Sequence, residues 1–204
     1  MFDSGAEFEE LTAKLLPEHF NTNHTENEFE SRSDDKGPEP EGVTLGEING
    51  RTYAFVGFER LGGVMVYDIT DPAKPAYTAY INNRDFSINM EELAEEGDDA
   101  VKAGLEKVGD LGAEGLTFVP AKDSPNGENL LIVGNEVSGT TTVFQVGSLI
   151  EAPAEPAEPT QPGTDAAGSS LSKGGVIAIA LAAVALVIGA LGALGNVVNS
   201  VFAK

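Results

Sequence analysis

Apolar and polar residues alternate in three rhythms along the chain. Near the N-terminus, Phe8, Leu11, Leu15 and Leu16 recur at helical spacing among acids, which predicts a short amphipathic helix over Ala6–Leu16, ended by Pro17. The polar stretch Asn21–Glu41 has no period and reads as a long loop. Helical spacing returns in Asn89–Val108, where Met90, Leu93, Val101, Leu105 and Val108 sit among acids; one or two surface helices are expected there, interrupted near Gly97. Between these lie short β-branched and aromatic runs bounded by Gly or Asp-Pro, the pattern of strands. The third rhythm is none at all: the 22 residues Gly174–Gly195 are only Gly, Ala, Val, Ile and Leu.

The strands repeat. Glu41-Gly-Val-Thr44, then Tyr53-Ala-Phe-Val-Gly-Phe-Glu59, then Gly63–Ile69 form one unit. Glu114-Gly-Leu-Thr117, then Leu130-Leu-Ile-Val-Gly-Asn-Glu136, then Thr140–Val146 form the second. The spacing from Glu59 to Ile69 equals that from Glu136 to Val146, and Gly57 matches Gly134, Gly62 matches Gly139 and Tyr67 matches Phe144. Short antiparallel strands in repeated units are the pattern of propeller blades, so the expected fold is mainly β: a partial β-propeller of about two blades with short helices. A small two-unit β-sandwich is the alternative.

The apolar block changes the picture of where the chain resides. At about 1.5 Å rise per residue it spans roughly 33 Å, the thickness of a bilayer's hydrocarbon core. The stretch before it, EAPAEPAEPTQPGTDAAGSS, has no large apolar residue and reads as an extended, disordered stalk. The expected organisation is therefore blades over 1–147, stalk over 148–172 and a transmembrane helix over 173–200. Met1-Phe-Asp-Ser-Gly has neither a basic n-region nor an apolar h-region, so it is not a secretory signal. Either a tail anchor inserted from the cytoplasm or the C-terminal piece of a longer chain accounts for this, and the pair of blades favours the second. A formal charge of −21, from 12 Lys plus Arg against 33 Asp plus Glu, excludes nucleic acid as a partner. The lack of cysteine excludes disulfides and thiolate metal sites.

The densest chemistry lies in Ser31–Gly42, where Asp34, Asp35, Glu39 and Glu41 accompany Arg32 and Lys36. Such carboxylate density suits Ca²⁺ or another hard divalent cation, which takes about six to eight oxygens, although the spacing is not that of an EF-hand. A solvated charged turn shaped by Pro and Gly is the bland reading. Glu41 and Glu114 match at the start of a unit's first strand, and Glu59 and Glu136 match at the end of its second. In a propeller these positions would form a carboxylate ring; a turn device copied by duplication is the other explanation. Arg32, Lys36 and Arg84 are candidate contacts for an anion such as phosphate, with Arg84 also able to pair with Asp85. His24, inside the polar loop, is the better placed of the two histidines. No P-loop, dinucleotide fingerprint or nucleophile elbow occurs.

The strings SRSDDKGPEPEGV, YAFVGFERLGGVMVYDITDP, NNRDF, GDLGAEGLTFVPAKDSPNG and LLIVGNEVSGTTTVFQV resemble the C-terminal blades of choice-of-anchor I proteins over about residues 1–147. That resemblance implies a secreted β-propeller held on the cell surface, of a family described as alkaline-phosphatase-like and related to animal mesenchyme-specific cell-surface glycoproteins. Two functions follow from it: a binding or structural module with cation sites, or a metal-dependent phosphoesterase. A truncated, non-functional fragment is a third. The implied metal ligands are Asp34, Asp35, Glu39, Glu41, Glu59, Glu114 and Glu136, and the implied anion contacts Arg32, Lys36 and Arg84. Ca²⁺ or another divalent cation is the implied cofactor. The expected partners are a membrane, through the C-terminal helix, and a phosphate ester, glycan or surface protein. The expected location is the cell membrane, single-pass, with the soluble part outside. Relatives are longer and carry a signal peptide, and Ala113 stands here where Pro is expected before the second Glu-Gly.

Overall fold

The computed structural model describes residues 1–147; the expected stalk and transmembrane helix lie outside the described residues. Among the described residues no helix is long and apolar enough to cross a membrane. The chain is mainly β, with two antiparallel sheets and a few short helices. The first sheet is a meander of β1 (Pro40–Ile48), β2 (Arg51–Phe58), β3 (Val64–Asp68) and β4 (Ala76–Ile81). The second is a meander of β5 (Ala113–Val119), β6 (Leu130–Asn135) and β7 (Thr140–Gln145). The two repeat units thus coincide with the two sheets.

Local chemistry sets the register. Asn49 and Gly50 join β1 to β2 with φ of 53° and 75°, and Ile48 pairs with Arg51. This is the two-residue turn whose twist suits a right-handed ribbon, and Asn-Gly is its preferred sequence. Val64-Met-Val-Tyr-Asp68 is buried throughout, because β3 lies between β2 and β4 with both faces covered. Its unbroken apolar run, rather than an alternating one, is the mark of such a strand.

The main core lies between the sheets. Tyr53, Phe55, Val64 and Val66 of the first pack with Leu131 and Val133 of the second, and the Phe55 and Phe118 rings stack at 5.7 Å. Gly42, Gly46 and Gly57 let the sheets meet this closely: a Cβ at Gly42 would overlap the Glu114 carbonyl oxygen, and one at Gly57 would stand 2.7 Å from Leu116 Cδ1. The other face of the first sheet is partly covered by α1 (Glu7–Leu15), whose Phe8 meets Phe58 and Tyr67 edge-on. The expected apolar face of this helix is only half right. Phe8 and Leu11 join the cluster, but Leu15 is 45% exposed and Leu16 has left helical geometry at φ −133°, while Thr12 is fully buried. Pro17 stops the helix and starts a 3-10 turn before its last residues reach the sheet.

The predicted interruption at Gly97 is present, with φ 109° between α2 (Met90–Glu96) and α3 (Asp98–Leu105). Asn89 caps α2 by accepting hydrogen bonds from the amides of Glu91 and Glu92. Met90, Val108 and Leu111 form a small core beneath the helices.

Candidate functional site

The chain end of the first sheet that lies away from the Asn49-Gly50 turn gathers the charges. The segment before β1 kinks at Glu39, which has a left-handed φ of 52°. There the Glu39 carbonyl accepts from the Glu59 amide at 2.9 Å and the Pro38 carbonyl from the Arg60 amide. The pairing of β1 with β2 slips between Pro40 and Val43, a bulge. Kink and bulge together turn the Glu39 side chain inward, against Glu59, while Glu41 stays exposed. Glu39, Glu41 and Glu59 each place one carboxylate oxygen within 4.8 Å of the others.

Two arginines hold this cluster. Arg32 donates to Glu39 Oε1 at 2.9 Å and contacts Asp35 at 2.8 Å. Arg60 donates to Glu39 Oε2 at 3.2 Å and lies 2.7 Å from Glu59 Oε1. Lys36 Nζ is 3.5 Å from Glu39. The Arg32 carbonyl accepts from the amides of Asp35, Lys36 and Gly37, so the loop that carries these cations is a compact turn.

The two buried carboxyls are electrostatically unequal. Burial raises Glu59, its hydrogen bond with Glu39 adds to this, and opposition from Arg60 does not offset them; the carboxyl is pushed up to about 7. Glu39 is also penalised by burial, but the hydrogen bond from Glu59 and the cations Arg32, Arg60 and Lys36 hold it below its ordinary range. Glu59 therefore carries the shared proton and Glu39 the charge. His24 is kept neutral by burial and by Arg60, Arg84 and Arg32. Its Nδ1 accepts from Arg60, which places the ring proton on Nε2.

Glu114 and Glu136 form a second acidic pair, at the matching end of the other sheet. Glu136 raises Glu114, with a smaller effect from Glu41, so the two acidic groups feel one another across the sheets. Asp34 and Asp35 are exposed on the outer side of the loop. Arg84 is buried and donates to the carbonyls of Asn23, Arg60 and Glu26 and to Asn27 Oδ1, with its guanidinium 4.7 Å from the Phe86 ring. It ties the loop bearing His24 to the turn bearing Arg60.

The sequence gives no sign of Arg60, because the repeat pairs it with Val137. Asp110 was also missed. It is buried and accepts from Thr140, Thr142 and Asn83, which joins the second sheet to the loop after β4.

What the cluster can do follows from its donors. Three carboxylates within 4.8 Å match the oxygen-rich, flexible shell of a hard divalent cation. A cation here would displace the Glu59 proton, and the remaining positions would be filled by water or ligand oxygens.

The chain is 31% identical over 155 residues to Gigasin-3a of Magallana gigas, an alignment covering 73% of this chain and 52% of that protein. The chain thus spans about half the length of this curated relative. No solved structure matches it. The family model for the choice-of-anchor I domain matches residues 1–72, a segment that contains α1, the charged loop, β1 to β3 and all three clustered carboxylates. Residues 1–72 thus belong to the choice-of-anchor I family of domains, and the likeness to Gigasin-3a is consistent with that.

Proposed function

We propose that the chain is a membrane-anchored extracellular surface module, built from two consecutive β-propeller blades, that binds a divalent cation through Glu39, Glu41 and Glu59. The observation that carries the cation reading is the convergence of three carboxylate oxygens within 4.8 Å, two of them on buried residues. A buried carboxyl held protonated near neutral pH is costly, and a cation that takes the proton's place relieves that cost. Glu114 and Glu136 supply further negative potential beside it. The blade reading is supported by the repeat and by two meandering sheets packed face to face. Anchoring is supported by the apolar run Gly174–Gly195, and a stalk over 148–172 would hold the module off the surface.

Calorimetric titration of Ca²⁺ into the 204-residue chain, with Glu41→Gln and Glu59→Gln beside it, tests the site. Micromolar binding that both substitutions abolish is expected. A folded chain that takes up no Ca²⁺, Mg²⁺ or Mn²⁺ would remove the cation from the reading. The ligand of the module would then be a glycan or surface protein bound without metal.

A second reading, a metal-dependent phosphoesterase, is favoured by one feature: Arg32, Lys36 and Arg60 all lie within 4 Å of the clustered carboxylates. A cation would polarise a phosphoryl oxygen and the guanidinium groups would stabilise its developing charge. Release of nitrophenol from an aryl phosphate, abolished by chelator and by Glu59→Gln, is the expected result; no turnover by the metal-loaded chain leaves the binding module alone.

A further inference from the structure

Asn-Gly occurs twice in the chain, at Asn49-Gly50 and Asn126-Gly127, and all four residues are exposed. The dipeptide is chemically special because glycine has no Cβ to keep its amide nitrogen away from the preceding side chain. Both glycines stand in open space, since a Cβ on either would meet nothing within 4 Å, and both have a left-handed φ of 75°. By sequence, exposure and backbone the two pairs are alike.

Hydrogen bonding separates them. Asn126 Oδ1 accepts from the Ser124 hydroxyl and from the Glu128 amide at 3.1 Å, and the Gly127 amide donates to the Ser124 carbonyl at 3.3 Å. The side chain is pinned, and the proton on the neighbouring nitrogen is engaged. In the turn from β1 to β2, Ile48 and Arg51 pair with one another and leave the two residues between them unpaired. Among the described residues nothing bonds to the Asn49 side chain, and nothing accepts from the Gly50 amide. Asn49 also holds a φ of 53°, a conformation that a non-glycine residue adopts at some cost. The turn lies off the end of the first sheet, so its exposure does not depend on what packs against either face.

We propose that Asn49 is a site of spontaneous deamidation in the folded protein, and that Asn126 is protected from the same reaction by its own turn. Base removes the Gly50 amide proton, and the nitrogen attacks Cγ of Asn49. The N–Cγ bond forms, the Cγ–Nδ2 bond breaks, and Nδ2 takes up a proton and leaves as ammonia. Water then opens the resulting five-membered imide at either carbonyl. Opening at Cγ gives Asp, with the backbone unchanged and one more negative charge. Opening at the main-chain carbonyl gives isoaspartate, whose chain runs through Cβ and Cγ and is longer by one methylene. The length of a two-residue turn fixes the register of its hairpin, so the isoaspartyl product opens the Ile48–Arg51 pair and frays β1 from β2 at this end. The inference is independent of the cation site and of the blade reading.

The test is to age the 204-residue chain in mild detergent at slightly alkaline pH, beside a sample unfolded in guanidinium, and to map both by mass spectrometry for the mass gain of an amide hydrolysed to an acid. The unfolded sample gives the intrinsic rates, which are expected to be alike at the two Asn-Gly pairs. In the folded chain Asn49 is expected to react about fivefold faster than Asn126 or more, since one net hydrogen bond that must first break slows a step by about that factor. Equal rates in the folded chain would overturn the proposal. So would an Asn126 that leads, or an Asn49 left intact when the unfolded sample has turned over. The products are then separated by anion exchange, and isoaspartate is identified with an isoaspartyl methyltransferase. The isoaspartyl form is expected to melt below both the parent and an Asn49→Asp variant, which carries the same added charge on an unaltered backbone. An isoaspartyl form that melts with Asn49→Asp would overturn the loss of register.

Discussion

Replacing Glu59 by Gln separates the electrostatic cost of the carboxylate cluster from its packing. In the folded chain the Glu59 carboxyl is raised from 4.5 to about 7, first by burial and then by its hydrogen bond with Glu39. The folded state therefore holds this proton more tightly than the unfolded state. The stability it contributes is fully present below pH 4.5 and is lost as pH rises to about 7. At 1.36 kcal/mol per pH unit, the loss is about 3 kcal/mol. The side chain is only 10% exposed, so solvent screening removes little of it. Gln has the size of the protonated acid and can still donate to Glu39, but it cannot ionise. The difference in stability between variant and parent should therefore move in favour of the variant by about 3 kcal/mol between pH 4 and pH 8. For a domain of this size that corresponds to a relative shift in Tm of about 6 to 12 °C. Urea unfolding followed by circular dichroism at both pH values, with chelator present, measures it. Saturating Ca²⁺ at pH 8 should then stabilise the parent and leave the variant unchanged. A gap between the two proteins that is the same at pH 4 and pH 8 would refute the reasoning, because it would mean that Glu59 titrates as an ordinary surface acid.

Three other outcomes follow. Gly42→Ala should destabilise by about 1 to 3 kcal/mol or more through overpacking against the Glu114 carbonyl, whereas the matching Gly115→Ala should stay within about 0.5 kcal/mol; urea melts compare them. Arg84→Met should remove a buried guanidinium and strip donors from three backbone carbonyls, at a cost of about 3 kcal/mol or more, with early proteolytic cleavage in the loop around His24 as the readout. Asp68 is buried but held below its ordinary 3.8 by Thr70 and by the Arg51 guanidinium, so its contribution is present above that value and lost as pH falls beneath it; Asp68→Asn should flatten this part of the acid-unfolding curve.

Much of the frame was legible in the chain because its signals are local. The break after α1 is written in Pro17, the gap between the two later helices in Gly97, and the two sheets in the matched spacing of Glu59–Ile69 and Glu136–Val146. The repeat also brought Glu41, Glu59, Glu114 and Glu136 to corresponding strand ends. What it could not convey is which acids turn inward. Glu39 is buried because the backbone takes a left-handed step there and the strand bulges just beyond, and neither event has a sequence signal as plain as Asn-Gly. Arg60 escaped notice because it has no cationic counterpart in the second unit. Arg84 reads as an anion contact from its polar neighbours, yet its partners lie some sixty residues away along the chain, where only the tertiary structure can bring them.

The two hairpins differ at one end only. β1 and β2 are joined by Asn49-Gly50, whereas β5 and β6 are joined by Pro120–Asn129, which includes a one-turn 3-10 helix over Ala121–Asp123. Both connections lie at the end remote from the carboxylates. Length has therefore been free to vary where nothing is gathered, and the spacing is held at the charged end. For protein engineering the exposed turn Ser124–Gly127 is the natural port: a fluorophore, epitope or affinity handle inserted there would report on the module while leaving both its sheet faces and its acidic end clear.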